Sequence, residues 1–425
     1  MHFNFATLEK KLLKTIPKGT NSKFPGGKGL KRTKYFLNLL GNPQNKLNVI
    51  HIAGTSGKGS TAYLTSLMLH SLGFKTGLHL SPHLIYLRER FQINNALLSK
   101  KKTVFYFNQI FPKLGEMKRS VYGMPTYFEV LVALAYYIFH KEKVDYAIVE
   151  TGLGGTYDGT NVVDKIKLVI LTRIGLDHTE VLGKTIKEIA KHKANVISNK
   201  SEVITFNQNP AAMEVIKSKV KEKNVKLHYA KKTRSLKLGL LGEFQKENCS
   251  LALKAVTLLS ARDGFECDYD KINMALESAS FPGRFEIITI GNKKIVLDGA
   301  HNPQKMSGFI KSLVKIIPDK KFDFLVGFKR RKDYKSMLKY LAPVANRIYV
   351  TKIFSKNQDL VHLSESPQTI VEHLTSTGFK NNEIVEHPKK IVTRFLRGNR
   401  QVLVITGSLY LISELYIALK ILEKR

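Results

Sequence analysis

Seven residues, Gly54-Thr55-Ser56-Gly57-Lys58-Gly59-Ser60, break an apolar run and precede a stretch of helical periodicity. A glycine-rich turn between a buried strand and a helix aims backbone N–H groups at an anion, and the helix N-terminus adds its dipole. Gly54, Gly57 and Gly59 permit close backbone approach, Lys58 has the reach to meet terminal phosphates, and Ser60 or Thr61 is expected to cap the helix. Against the usual G-x-x-x-x-G-K-[ST] the loop is shorter, with a glycine between Lys and Ser. Nucleotide phosphate is the expected ligand; a glycine turn without a ligand is the alternative.

In open α/β sheets ligands collect at the carboxyl ends of strands. Three further polar positions belong there. Glu150 ends VDYAIVE, Asp177 and His178 follow KLVILTRI in the turn GLDH, and Ser81 follows the strand-like Lys75–Leu80. Glu150, a hydroxyl and a neutral imidazole could hold Mg²⁺ against the nucleotide, with water and phosphate oxygens completing the shell. Taken singly, His178 could be a loop cap and Glu150 a surface acid. In KTIKEIAKHKANVI the apolar residues fall at Ile186, Ile189, Ala190, Ala194 and Ile197, which puts Lys193 on the inward stripe. A buried lysine must pair or lose its proton. It could be a snorkelling stem, a phosphate ligand, or a lysine carried as a carbamate.

The elements that must position these groups alternate short β-branched runs with longer amphipathic stretches, which implies βαβ units and parallel sheets. Strands are expected at Leu47–Ala53, Asp145–Glu150, Lys167–Ile174 and Glu202–Phe206. A second series is expected at Lys294–Leu297, Phe322–Val326, Arg347–Val350 and Val402–Ile405. Between the two series lies FPGRFEIITIGN, and a domain boundary is expected near residue 288. A chain of 425 residues suits two domains. The longest apolar run, Tyr127–Phe139, contains Glu129 and is shorter than the roughly 20 residues of a spanning helix. No membrane segment is expected, and the N-terminus, with Phe5, Leu8, Leu12 and Leu13 between lysines, reads as a surface helix. Cys249 and Cys267 are too few for a disulfide scaffold or a zinc site, so a reducing cytoplasm is expected. The net charge of +35 would by itself suggest nucleic acid. Yet the basic residues are mostly scattered lysines, and the clusters Lys100–Lys102 and Lys329–Lys332 lack interleaved aromatics. Nucleic acid is therefore not expected as a partner.

The segments LLGNPQNKLNVIHIAGTSGKGST, SPHLIYLRERFQIN, TYFEVLVALAYYIF, VETGLGGTYDGTNVV, GLDHTEVLGKTIKEIAKHKANVI, LLGEFQKENCSLAL, FPGRFE, DGAHNP and TGSLYLISEL stand in this order. Together they resemble the folylpolyglutamate synthase / dihydrofolate synthase branch of the Mur ligase family, from about residue 25 to 420. The resemblance implies an ATP-dependent acid–amino-acid ligase that adds L-glutamate to a folate through an acyl phosphate. It also implies a two-domain α/β fold with ligands in the interdomain cleft. Residues 1–287 would form the ATP-binding domain with the folate site, a P-loop-type mostly parallel sheet. Residues 288–425 would form a smaller Rossmann-like glutamate-ligase domain.

By the same resemblance Gly57, Lys58, Gly59 and Ser60 would bind ATP phosphates. Asn248, Arg284 and Asp298 would meet the nucleotide from the far side of the cleft, and Ser81, Glu150 and His178 would ligate magnesium. Lys193 matches the lysine that the family carries as an N6-carboxylysine formed from CO2. His301 and Ser408 would line the glutamate side, with His301 counted among the catalytic groups beside Lys58 and Lys193. Thr126, Tyr127, Phe128, Glu129, Tyr157, Asp158 and Gly159 match the region that holds the pteroate. A cytoplasmic monomer acting on small molecules, without nucleic acid or membrane, is the family expectation. The sequence departs from the family pattern at Ser56, Thr156, Gly159, His192, Asn195 and Phe281, where Asn, Arg, Ala, Glu, Gly and Trp are usual. Thr156 and Gly159 flank the pterin contact and bear on substrate choice. Two other readings are another Mur-type amino-acid ligase and a basic P-loop ATPase acting on nucleic acid.

Overall fold

The computed structural model describes residues 4–15, 25–231, 236–319, 321–353 and 363–424. These fall into two compact units. One holds the described residues through Leu238 together with Lys246–Ala279, and the other holds Gly239–Gln245 and the described residues from Ser280 onward.

The first unit is built on eight strands: β1 Val49–Ala53, β2 Thr76–His79, β3 Gln92–Ile93, β4 Ala96–Leu97, β5 Tyr146–Glu150, β6 Ile166–Leu171, β7 Glu202–Thr205 and β8 Leu227–Tyr229. Their order in the sheet is β4-β3-β2-β5-β1-β6-β7-β8. Strands from β2 to β8 in that order pair in parallel, and at the edge β3 pairs antiparallel with both β2 and β4. Every residue of β1 and β5 is buried. Strands covered on both faces are apolar throughout instead of alternating, and VIHIA and YAIVE read that way. The chain leaves β1 toward β2 on one side and reaches β6 on the other, so the order reverses around β1 and opens a crevice at its carboxyl end.

The apolar run that is too short to span a membrane forms the helix Tyr127–Lys141, eleven of whose residues are buried in the core. Thr126 caps it through a capping box with Glu129, and Arg32 clamps the same carboxylate with two hydrogen bonds of 2.6 and 2.7 Å. Among the described residues no helix is long and apolar enough to cross a membrane. The N-terminal helix Phe5–Leu13 buries Leu8 and Leu12 against this core.

The second unit carries β9 Arg284–Ile290, β10 Lys293–Asp298, β11 Phe322–Val326, β12 Ala345–Thr351, β13 Asn382–Val385 and β14 Val402–Thr406, in the order β13-β12-β11-β14-β10-β9. β9 and β10 form a hairpin through the Gly291-Asn292 turn, and the other neighbours are parallel. Each expected strand is present, Phe322–Val326 with both ends as expected and the others with ends shifted by at most three residues. β6 stops at Leu171, short of Ile174, because Thr172–Gly175 turns aside to support the glycine loop, as described below.

Two histidines lie under the first sheet, flanking Val149 of β5 in the strand register. His51 Nε2 lies 2.8 Å from Thr160 Oγ1 and 3.1 Å from Thr151 Oγ1. Thr160 Oγ1 donates to Asp158 at 2.6 Å, so the imidazole is the donor toward Thr160. His79 Nδ1 donates to the Arg90 carbonyl at 2.7 Å. Burial lowers the pKa of His51 to about 4 and of His79 to about 3, and both rings are neutral in the fold. The unfolded chain binds protons near pH 6.5 that the native state refuses until pH 4 or below. Native stability therefore falls as pH drops from 6.5 toward 4, by roughly 3 kcal/mol for each ring. A His79→Phe variant should show a shallower loss of urea stability between pH 7 and pH 4.5 than the parent. Identical slopes would mean that His79 takes up its proton in the native state.

Candidate active site

The turn after β1 is held by everything except the N–H groups at its far end. Thr55 N and Ser56 N donate to the Arg173 carbonyl at 2.8 and 3.2 Å, and Thr55 Oγ1 donates to the Gly175 carbonyl at 3.0 Å. Lys193 Nζ donates to the Gly54 carbonyl at 2.7 Å. The helix Lys58–Ser71 then begins from Gly57, in the left-handed region at φ 91°, with no side-chain cap. This corrects the expectation that Ser60 or Thr61 would cap it; Thr61 Oγ1 is buried without a partner. The first N–H groups of the helix have no intrahelical acceptor and stay available to an anion. The Lys58 ammonium has no hydrogen-bond or ion-pair partner among the described residues.

Asn248 sits beside this loop: a Cβ on Gly57 would stand 2.1 Å from Asn248 Oδ1. It belongs to the first unit, not to a far side supplied by the second. Arg173 explains why, since it grips Glu247 with two hydrogen bonds of 2.6 and 2.8 Å and so holds the neighbouring residue against the loop.

Glu150, 6% exposed at the end of β5, accepts from Ser81 N at 3.0 Å. The same oxygen lies 3.2 Å from where a Cβ on Gly59 would be. Ser81 Oγ is buried and makes no hydrogen bond. His178 occupies a left-handed position at φ 51°, its ring 3.9 Å from Asp177 and 3.7 Å from Glu180. No group of three or more His, Cys, Asp or Glu that could hold a metal occurs among the described residues. Lys193 is 5% exposed, on the buried stripe of the helix Ile186–Ala194 with Ile189, Ala190 and Ala194.

The expected folate residues divide. Tyr127 is packed in the core, and Glu129 is engaged by Arg32 and by the backbone of Thr126. Asp158 is buried and accepts from Leu153 N, Thr160 N and Thr160 Oγ1, which folds the loop 152–160; burial raises its pKa. Phe128 lies over Gly152 and Gly159, with His79 6.4 Å from its ring. Tyr157 is half exposed and 6.4 Å from the His192 ring. Both line an open groove of about 400 Å³ with Thr156, Leu182, Lys191 and Asn195. Three of the departures from the family pattern meet there: Asn195 Nδ2 donates to Thr156 Oγ1 at 2.9 Å, and Thr156 N donates to the His192 carbonyl at 2.9 Å. Separations of 36 and 39 residues hid that network in the sequence.

In the second unit Asp298 ends β10. Its two oxygens accept from Phe285 N at 2.9 Å and Ala300 N at 2.8 Å. Burial raises its pKa to about 6, against the opposing pull of Arg284. His301 Nδ1 donates to the Gly299 carbonyl at 2.8 Å, and its Nε2 accepts from Lys305 Nζ at 3.0 Å, so the ring is a neutral imidazole of fixed tautomer. Lys305, in the first turn of the helix Pro303–Ile316, is the neighbour that sequence reading missed; His301 precedes the N-cap Asn302, so no helical spacing signalled the pair. Ser408 is buried and caps the helix Leu409–Glu423.

Residues 52–235 match the Mur ligase middle domain, and residues 283–409 match the Mur ligase glutamate ligase domain. Fold and loop together define an ATP-dependent ligase of the Mur type. A solved folylpolyglutamate synthase complexed with AMPPCP and folate superposes with a TM-score of 0.82 at 27% identity, covering 98% of this chain and 100% of that one. The folylpolyglutamate synthase of Thermotoga maritima superposes with a TM-score of 0.79 at 27% identity, over 98% and 96%. The dihydrofolate synthase/folylpolyglutamate synthase of Bacillus subtilis is 30% identical over 430 residues, 94% of this chain and 96% of that protein. The chain belongs to the dihydrofolate synthase/folylpolyglutamate synthase family. Against the folylpolyglutamate synthase of Arabidopsis thaliana, 37% identical over 288 residues, the match spans 50% of the relative's length.

Gly57 provides a direct test of the loop. A Gly57→Ala variant meets both the left-handed backbone and Asn248, so nucleotide affinity measured by titration calorimetry should fall at least tenfold. Adding Asn248→Ala should restore only part of it, because the φ penalty of about 1 kcal/mol persists. Undiminished affinity in the single variant would show that the loop does not hold the nucleotide.

Proposed function

We propose that this protein adds L-glutamate to a folate at the expense of ATP, taking dihydropteroate, tetrahydrofolate or both. The observation that carries the reading is end-to-end likeness to a relative bearing both activities in its name, on a chain whose own loop presents uncapped N–H groups and an unpartnered lysine. A carboxylate becomes a useful electrophile once its oxygen is phosphorylated, and phosphoryl transfer asks chiefly for positioning and charge neutralisation. Gly57–Ser60 and Lys58 supply these to the ATP phosphates. The folate carboxylate takes the γ-phosphoryl group to give an acyl phosphate. The glutamate amine attacks, and phosphate leaves. His301, oriented by Gly299, is fit to receive the proton of the incoming amine on Nε2 once Lys305 turns from that nitrogen to meet a carboxylate. Asp298 and Arg284 serve the nucleotide from the second unit. Phe128, Tyr157 and Gly159 serve the pteroate. The reading takes the first unit as the ATP and folate domain, the second, whose main run begins at Ser280 and not near residue 288, as the glutamate-ligase domain, and the enzyme as a cytoplasmic monomer on small molecules.

The donors at β2 and β5 fit magnesium. Ser81 offers a buried hydroxyl without a partner next to the Glu150 carboxylate, and both are hard oxygen ligands. Ser81 and Glu150, with His178, would hold the ion. Magnesium would neutralise phosphate charge there. We take Lys193 as an N6-carboxylysine; a carbamate retains one N–H for the bond to Gly54.

ADP release should be followed with Mg-ATP, bicarbonate and L-glutamate, adding dihydropteroate or tetrahydrofolate separately. Turnover with dihydropteroate identifies a dihydrofolate synthase, and turnover with tetrahydrofolate a folylpolyglutamate synthase. Silence with both substrates defeats the folate assignment. Ser81→Ala, which breaks no hydrogen bond, should leave the melting temperature unchanged yet require about tenfold more magnesium for half-maximal rate. An unaltered magnesium titration removes Ser81 from the ligand set. Lys193→Ala should lower kcat by about a hundredfold or more without rescue by bicarbonate. Full activity would sink the carbamate.

A further inference from the structure

The chain uses lysine where it needs positive charge: 15 of its 69 basic residues are arginine. Arg330 and Arg331 are its one adjacent arginine pair, on the turn that leaves β11. Both are exposed, and neither guanidinium has a hydrogen bond, ion pair or ring contact among the described residues.

Backbone bonds fix the turn itself. Arg330 N donates to the Leu363 carbonyl at 2.8 Å, Glu365 N to Phe328 at 2.8 Å, Lys332 N to Lys329 at 3.2 Å and Tyr334 N to Lys332 at 2.8 Å. Arg331 is held in the left-handed region at φ 68°. A long side chain there costs about 1–2 kcal/mol, and such strain collects where a surface is used. A rigid backbone thus displays two planar cations that do nothing for the fold.

Their place on the sheet says what they face. β10, β14 and β11 are adjacent and parallel, so their carboxyl ends share one rim. Gly407 after β14 presses on the turn, since a Cβ there would stand 2.7 Å from the Gly327 carbonyl. Lys329 Nζ lies 4.7 Å over the Tyr410 ring, on the helix that Ser408 caps. His301 and Lys305 leave β10 on the same rim.

We propose that Arg330 and Arg331 bind the carboxylates of the γ-linked glutamyl tail of a substrate that has already been extended. This rests on the ligase reading above. Each γ-linked residue leaves one free α-carboxylate, so a lengthening tail is a growing row of carboxylates. The guanidinium fork matches a carboxylate with two parallel hydrogen bonds, which a lysine ammonium does not. The pair therefore favours longer tails, and salt weakens the preference.

The test compares KM for tetrahydropteroyl mono-, di- and triglutamate in the full-length protein at low and physiological salt. In the parent, KM should fall as the tail grows. Arg330→Ala/Arg331→Ala should raise the triglutamate-to-monoglutamate KM ratio about fivefold, the scale of exposed charge-assisted bonds. Arg330→Lys/Arg331→Lys should recover part of that. Lys217→Ala/Lys221→Ala, which removes equal charge from the exposed surface of the first unit, should keep the parental ratio. A ratio unchanged in the alanine variant, with monoglutamate still turned over, overturns the tail site and leaves the ligase reading standing. A raised KM for L-glutamate with an unchanged tail ratio assigns the pair to the amino acid and also overturns it. Loss of binding to a labelled single-stranded oligonucleotide, with the tail ratio unchanged, overturns it in favour of nucleic acid. Absence of turnover with every folate defeats the ligase reading and this proposal together.

Discussion

The turn after β1 has to be rigid without using the N–H groups at its far end, and the packing of the first unit follows from that requirement. Rigidity comes from the other side. Two N–H groups at the near end go to Arg173, a threonine hydroxyl goes to Gly175, and the Gly54 carbonyl accepts a hydrogen bond from Lys193. Each tie draws in another element. β6 ends early so that residues 172–175 can run beside the loop, the helix Ile186–Ala194 turns a lysine inward, and Arg173 anchors the start of a long helix through Glu247. Asn248 arrives at the loop as a consequence. What remains is a helix start without a side-chain cap and a lysine without a partner among the described residues, the polarity a phosphate group requires.

Burying polar groups to support that loop carries a cost that the structure meets with hydrogen bonds. His51, Thr160 and Asp158 form one chain that closes the loop 152–160, and Tyr136 adds a bond to the Thr160 carbonyl. Unpartnered atoms are the informative exceptions, because a buried hydroxyl left alone forfeits roughly 1–3 kcal/mol. Ser81 Oγ and Thr61 Oγ1 are two of these, one beside Glu150 and the other in the helix that the loop starts. Placing them there loses stability and keeps oxygen donors ready where charge is to be bound.

Features encoded within one element were legible in the sequence. The glycine loop, the buried strands, the inward Lys193 and the carboxyl-end positions of Glu150 and Asp298 follow from period and spacing. The two sheets follow from alternation of strand and helix. Pairings across the chain were not legible. Arg32 and Glu129 are 97 residues apart, and Arg173 and Glu247 are 74 apart. The first pair ties the expected folate residue Glu129 to Arg32, and the second keeps Asn248, expected from the far side of the cleft, in the first unit. The missing cap on the loop helix was also hidden. Hydroxyls at Ser60 and Thr61 satisfy the local rule for a cap, but the cap position is a left-handed Gly57, three and four residues before them.

The two strand-end carboxylates show how similar positions diverge in role. Glu150 accepts the Ser81 N–H on Oε2 and stands against the glycine loop. Asp298 accepts an N–H on each oxygen, from both sides of the turn that begins DGAHNP. Its pKa of about 6 reflects burial only partly offset by those bonds and by Arg284. Such a group acts first on its own backbone, by fixing Gly299 and hence the carbonyl that sets the His301 tautomer. Any contact it makes with a nucleotide uses the lone pairs that remain. The first carboxylate therefore stands beside the glycine loop, and the second orders the turn that orients the His301 imidazole.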